Sequence, residues 1–277
     1  MSDSSDSPSS PGVSSPVPDT IIKPTKRYKL RFALLYGGLL AIGIAAIVGL
    51  VVLVAKPSSG GSVSAKGWSN WKPDHGTTSQ MATQIAQHVA REYKLNKSGA
   101  PLLAVVAGPP QVTSGTHNIS VSNIAVKKKA KSAAGIEIVP SASTWKEQLC
   151  GIGGAGCSIP TGKPTEMRGR LVRREALEIA LYTFKFVPTI KSIVAFMPPP
   201  AGSPPSTLLY LQKENLTKQL DQPLRKTLPL EKPPLPTDPD LKEAATIDKL
   251  TLPAVYSYNY QQLQDASALL VLNPFQT

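Results

Sequence analysis

Cys150 and Cys157 are the only cysteines in the 277-residue chain, and four of the six residues between them are glycine: Gly151, Gly153, Gly154 and Gly156. In an oxidising compartment such a pair closes a small disulfide loop, and the glycines let the backbone bend as the bridge requires. The spacing is not Cys-x-x-Cys, so the expected role is to fix one loop and not to exchange electrons. The same loop spells Gly151-x-Gly153-x-x-Gly156, a dinucleotide fingerprint by letter. That motif needs a strand before it and a helix after it, and here Pro160 and Pro164 follow. Gly156 to Lys163 misses the phosphate-loop pattern as well, with Pro164 where Ser or Thr should stand.

Other reactive residue types are sparse. His75, His88 and His117 have no second ligand at metal spacing, and Ser143-x-x-Lys146 stands without its partner motifs. No Gly-x-Ser-x-Gly is present, nor a close carboxylate pair in a glycine-bounded loop. These readings point to no cofactor, no metal and no enzyme. The rival expectation is an envelope hydrolase or transferase whose site assembles from distant residues.

Arg168, Arg170, Arg173 and Arg174 open a helix expected from about Arg170 to Phe186, at the end where the dipole disfavours cations. They are candidate contacts for an anionic partner, with Glu175 and Glu178 able to pair some of the charge along the helix. Trp68 and Trp71 are the aromatic candidates for the same contact, or else staple the chain to the core. Lys127, Lys128, Lys129 and Lys131 have no interleaved aromatics, so nucleic acid is not expected. They read as a solvated loop guarding an edge strand.

What must position these groups begins with an uncharged run, Phe32 to Ala55, preceded by Lys23, Lys26, Arg27, Lys29 and Arg31. Its 24 residues suffice to cross a hydrocarbon core of about 30 Å. The basic flank places residues 1–31 in the cytoplasm and everything after the span outside the cell membrane. A cleaved signal peptide would have a shorter apolar stretch and a better small-x-small site than Leu53-Val54-Ala55. Ala33, Gly37, Ala41, Ala45 and Gly49 recur every fourth residue, a small-residue face suited to helix–helix contact and lateral self-association. The Ser/Pro/Asp tail has too little apolar content to fold. Of the net charge of +12, the exported part carries most, which suits a partner protein or an anionic envelope component.

Residues 56–76 read as a flexible stalk and 77–277 as an exported α+β domain. Met81, Ile85 and Val89 mark a helix from Ser79 to near Tyr93, followed by strands Leu102 to Ala107 and Ile119 to Val126. The order recurs 90 residues later in a helix, Ile193 to Met197 and Leu208 to Leu211, which suggests two α-β-β units. Pro223 to Asp240 reads as extended and exposed, and Tyr256, Tyr258 and Tyr260 lie on one strand of a closing hairpin that turns near Asp265.

Gly67 to Pro73, the Cys150 to Cys157 loop, Arg173 to Phe186 and Gln219 to Leu224 together resemble single-pass membrane proteins of actinobacteria to which no function is assigned. The resemblance implies an exported, disulfide-containing domain and supplies no activity.

Overall fold

The computed structural model describes residues 67–114, 117–128, 135–154, 157–160, 164–238 and 242–275. The expected span 32–55 with its stripe of Ala33, Gly37, Ala41, Ala45 and Gly49, the tail, most of the stalk, Lys129, Lys131 and Gly156 lie outside these residues. Among the described residues no helix is long and apolar enough to cross a membrane.

Helix α1 (Thr78–Glu92) begins one residue earlier than its apolar period suggests, because Thr77 and Gln80 form a capping box. Thr77 Oγ1 accepts from Gln80 N at 3.2 Å, and Gln80 Oε1 accepts from Thr77 N at 2.8 Å. Ala82, Ile85, Ala86 and Val89 form its buried stripe, with Tyr93 closing it. Burying Ile85 and Val89 contributes on the order of 1.5–3 kcal/mol each.

Nine strands form one curled mixed sheet: β1 (Ala104–Gly108), β2 (Gln111–Ser114), β3 (His117–Lys127), β4 (Ile136–Pro140), β5 (Thr144–Cys150), β6 (Ser192–Phe196), β7 (Thr207–Gln212), β8 (Val255–Gln262) and β9 (Ala268–Pro274). Their spatial order is β1-β5-β6-β7-β8-β9-β3-β2, with β4 also pairing β3. Two pairs are parallel, β5 with β6 and β3 with β9. The first is joined by the long helix α2 (Glu166–Phe186), a crossover that lays the helix across the sheet.

The period-two alternation of the strands serves two cores. Trp145, Leu149, Ile193, Ala195, Leu209 and Leu211 face α1 and α2. Val194, Phe196, Leu208 and Tyr210 face the other way, into a second cluster that includes Val121, Ile124 and Val126 of β3. Four strand spacings separate β3 from β6, roughly 19 Å in a flat sheet. Membership of one buried cluster therefore requires the curl. The expected hairpin is β8 and β9, and the tyrosine stripe packs against this second core, with Phe196 and Tyr258 edge to face at 4.8 Å.

Three expectations need correction. The order helix, strand, strand does recur, but β6 and β7 pair with each other, whereas β1 pairs β5 at one end of the sheet and β3 sits near the other. The chain is therefore not two equivalent α-β-β units; apolar residues matched at a 90-residue offset because the core-facing positions of any helix or strand need them. The stalk ends earlier than residue 76: Pro73 is buried, and Trp68 O accepts from Leu224 N at 2.8 Å. The proline-rich segment opens with a helical turn, α4 (Leu224–Thr227), following α3 (Thr217–Leu220), and Leu224 and Leu228 are fully buried. Those two leucines anchor a stretch whose prolines alone suggested an exposed spacer. Helix α5 (Ala244–Thr251) then packs on α2 and leads into β8.

Candidate functional site

The arginines of α2 meet acids from its own first turns and from α5. Thr165 caps the helix, its Oγ1 accepting from Arg168 N at 3.1 Å. Arg170 donates Nε to Asp248 at 2.9 Å and Nη2 to Asp248 at 2.8 Å and to Glu166 at 2.6 Å. Arg173 donates to the other Asp248 oxygen at 2.6 Å and to Thr251 Oγ1 at 3.1 Å. Burial alone would raise the Asp248 carboxyl, but the hydrogen bonds and charges of Arg170 and Arg173 outweigh it and hold it below its ordinary range.

Arg174 lies deeper and is fully buried. It donates Nε to Glu243 at 2.6 Å, Nη1 to Glu178 at 2.9 Å and to the Tyr93 hydroxyl, and Nη2 to Leu230 O at 2.9 Å. The Tyr93 hydroxyl in turn donates to Glu178 at 2.7 Å. Burial pushes the Glu243 carboxyl up, and the Arg174 charge only partly offsets that. One guanidinium thus ties together α1, α2, the proline-rich segment and the entry to α5.

This geometry corrects the reading of Arg170, Arg173 and Arg174 as partner contacts: their donors are occupied inside the domain. The physical reason is the pairing of Glu243 and Asp248 with arginines some 70 residues earlier, which local spacing does not reveal. Glu178 does pair as its spacing suggested, at i+4 from Arg174. Glu175 does not. Its carboxyl is buried without a hydrogen-bond partner, and burial followed by the nearby Glu178 charge pushes its pKa well up, favouring the neutral acid.

Trp68 and Trp71 act as staples. Trp68 meets Tyr182 and Phe186 edge to face at 5.3 and 5.9 Å, and Trp71 stacks on His88 at 3.8 Å. Both indoles are half-buried against the helix-side core. Burial, then the charges of Arg91 and Arg225, lower the His88 pKa to about 4, so the stacked imidazole is neutral.

The cysteines form a disulfide. It closes the loop that leaves β5, and Gly151 N donates to Cys157 O at 2.8 Å across the loop's neck. A Cβ on Gly154 would fall 1.7 Å from Ser158 O, so the close backbone approach requires glycine there.

Directly beyond this loop is a cavity of about 180 Å³, lined by Ile159, Pro164, Arg168, Val172, Met197 and Pro199 among others. It lies outside the carboxyl ends of the parallel strands β5 and β6, at the start of the crossover helix, the position at which open α/β sheets, unlike this curled mixed one, receive ligands. Among the described residues, Arg168, 8% exposed, is the one charged group of its wall. Of the four sequence-predicted arginines, Arg168 is the one that lines this cavity. The cavity is smaller than the ~300–1,000 Å³ of typical small-molecule sites, and suits a single inserted side chain. Sequence reading missed it, although the prolines at 160, 164 and 198–200 that build its walls were there to be noticed.

The strongly perturbed acids lie elsewhere. Glu147 on β5 is fully buried with neither oxygen partnered, and burial pushes its pKa well up; Trp145 Nε1, two residues back on the same strand face, is unpartnered too. Neither Glu147 nor Glu175 borders the cavity. Among the described residues no group of three or more His, Cys, Asp or Glu is placed to hold a metal ion.

No family model, curated protein or solved structure matches the chain. The functional reading therefore rests on the chain's own chemistry.

Proposed function

We propose that the chain is a single-pass membrane protein with a cytoplasmic N-terminus, whose exported α+β domain is a binding module of the cell envelope. The observation that carries this is the Cys150–Cys157 disulfide, in a chain without another cysteine, lying beyond a 24-residue uncharged run with a basic flank. The proline-walled cavity supports binding over catalysis: its lining among the described residues is largely apolar, and neither Glu147 nor Glu175, the strongly perturbed carboxyls, is part of it. Its fitting occupant is a single apolar group, offered by a partner protein or an anionic envelope component. The small-residue stripe of the anchor suits lateral association in the same membrane.

The test is made on the full chain in intact cells. Cys150 and Cys157 should resist alkylation until reductant is added, and external protease should remove the domain while an N-terminal tag survives. Free alkylation without reductant, together with protection from external protease, would overturn the topology. Crosslinking in native membranes should then capture a partner that is lost in Arg168→Gln and kept in Lys97→Gln. Equal capture by both variants would remove the cavity from the assignment.

A further inference from the structure

Helices cover the sheet face carried by β5, β6 and β7; the same face continues past β8, with Val271 of β9 and Ala125 of β3 still buried, and opens to solvent on β4. On β8 it presents Ser257, Asn259 and Gln261, polar as a solvated face should be. One ladder further its character changes. Asn259 is opposite Val271, Val271 opposite Ala125, and Ala125 opposite Ile138, a row that runs from polar to apolar across β8, β9, β3 and β4. On β4, Ile136 is 62% and Ile138 55% exposed, with Pro140 exposed beside them. Large β-branched residues standing side by side in water on a terminal strand are the kind of surface that natural sheets avoid unless something covers it.

Two exposed lysines flank this strip, one on its face and one just beyond the end of β3. Lys127 is directly opposite Ile136, and Lys128 follows it; both are exposed. The acid of this strand, Glu137, alternates to the opposite face, where burial first and then its charge raise the pKa of Tyr210 and Tyr256 in the second core. Its contact with Lys128, at 3.8 Å, is long and exposed. Isoleucines rimmed by lysines form an amphipathic surface that suits an anionic bilayer: the apolar side chains reach the acyl boundary while the ammonium groups stay among the phosphates. A second copy of this chain fits less well, because the net charge of +12 repels a like molecule.

We propose that the outer face of β3 and β4, with Ile136, Ile138 and Lys127 and with Lys128 at its margin, docks on anionic phospholipid and so lays the exported domain against the membrane that anchors it. This rests on the anchored topology proposed above. Docking would fix the domain's tilt and limit which of its surfaces a partner in the envelope can reach. Each lysine near an anionic surface adds about five-fold to partitioning at moderate salt.

The experiment reconstitutes the full chain in nanodiscs of phosphatidylcholine alone or mixed with phosphatidylglycerol. A nitroxide is placed at Ile138→Cys, with Lys97→Cys as the solvent reference; the native cysteines are held in their disulfide. In the anionic discs the label at 138 should lose access to a water-soluble relaxation agent several-fold and gain access to oxygen, while the label at 97 should not. Zwitterionic discs, high salt or the added pair Lys127→Gln and Lys128→Gln should return it to solvent. Full aqueous access in both lipids would overturn the docking, as would burial indifferent to lipid charge. Dipolar coupling between labels would give the face to self-association instead. Failure of the chain to incorporate into any disc would sink the anchored topology and this inference with it, an outcome distinct from incorporation without contact.

Discussion

Arg174 Nε and Glu243 Oε1 lie 2.6 Å apart with both side chains inaccessible to solvent, although 69 residues separate them in the chain. A buried guanidinium costs several kcal/mol to desolvate, and that cost is offset only while every donor keeps an acceptor. Glu178, Tyr93 and Leu230 supply the rest. Arg174→Met therefore leaves buried carboxylates uncompensated and should destabilise the domain by about 3–5 kcal/mol, read as a fall in the thermal midpoint of the detergent-solubilised chain. A loss within experimental error would mean that the network is not formed in solution.

Glu147 has the opposite character. Burial holds its carboxyl well above the ordinary range and neither oxygen has a partner, so ionisation opposes folding. Because the folded-state pKa is raised, stability is fully present below the unfolded value and falls as pH rises toward the folded one. Glu147→Leu keeps the volume and removes both the orphaned acceptors and the titration. It should raise the thermal midpoint at neutral pH, and the gain should shrink as pH drops to about 4. A destabilised Leu variant at pH 7 would show that the carboxyl has a partner after all.

Much of the fold is legible in the chain because period is local. Ala82, Ile85 and Val89 mark α1, Tyr256, Tyr258 and Tyr260 mark a strand face, and the glycines between the cysteines mark a tight loop. What escapes is set by partners far along the chain. Arg170, Arg173 and Arg174 look like a basic patch until Glu243 and Asp248 close on them. Of the arginines' partners, local spacing could flag only Glu166 and Glu178, each four residues from its arginine, and Glu175 shows how easily the choice between nearby acids goes wrong. The curl was equally hidden. Residues on β3 and β6 meet because strands between them twist, and no pairwise pattern along the sequence encodes that sum.

His88 gives an acid-sensitive contact. Its imidazole stacks on Trp71 with the rings 7° from parallel, and its folded pKa is lowered to about 4 by burial and by Arg91 and Arg225. A depressed pKa contributes stability that is present above the unfolded value, near 6.5, and is lost as pH falls toward the folded one. The domain should weaken between about pH 6.5 and 4, and His88→Phe, which keeps an aromatic ring on Trp71, should flatten that part of the profile. Tryptophan emission followed against pH in both proteins is the measurement. An acid limb of the same slope in both would assign the loss to other groups.

The disulfide loop separates two effects that usually travel together. Reducing Cys150–Cys157 opens a short loop, and the chain-entropy contribution of so small a ring lies near the lower end of the usual ~2–4 kcal/mol. Gly154→Ala should cost more than that expectation suggests, because its methyl would sit 1.7 Å from the Ser158 carbonyl oxygen and force the backbone aside. The displaced segment runs straight into Ile159, a wall of the cavity next to Arg168. Gly154→Ala should therefore lower both stability and ligand capture, whereas Gly153→Asn, at a position with φ of 80° that Asn tolerates better than most residues, should spare both. If reduction alone abolished capture while Gly154→Ala retained it, the bridge would be holding the cavity through the cysteines themselves and not through the close approach of residues 154 and 158.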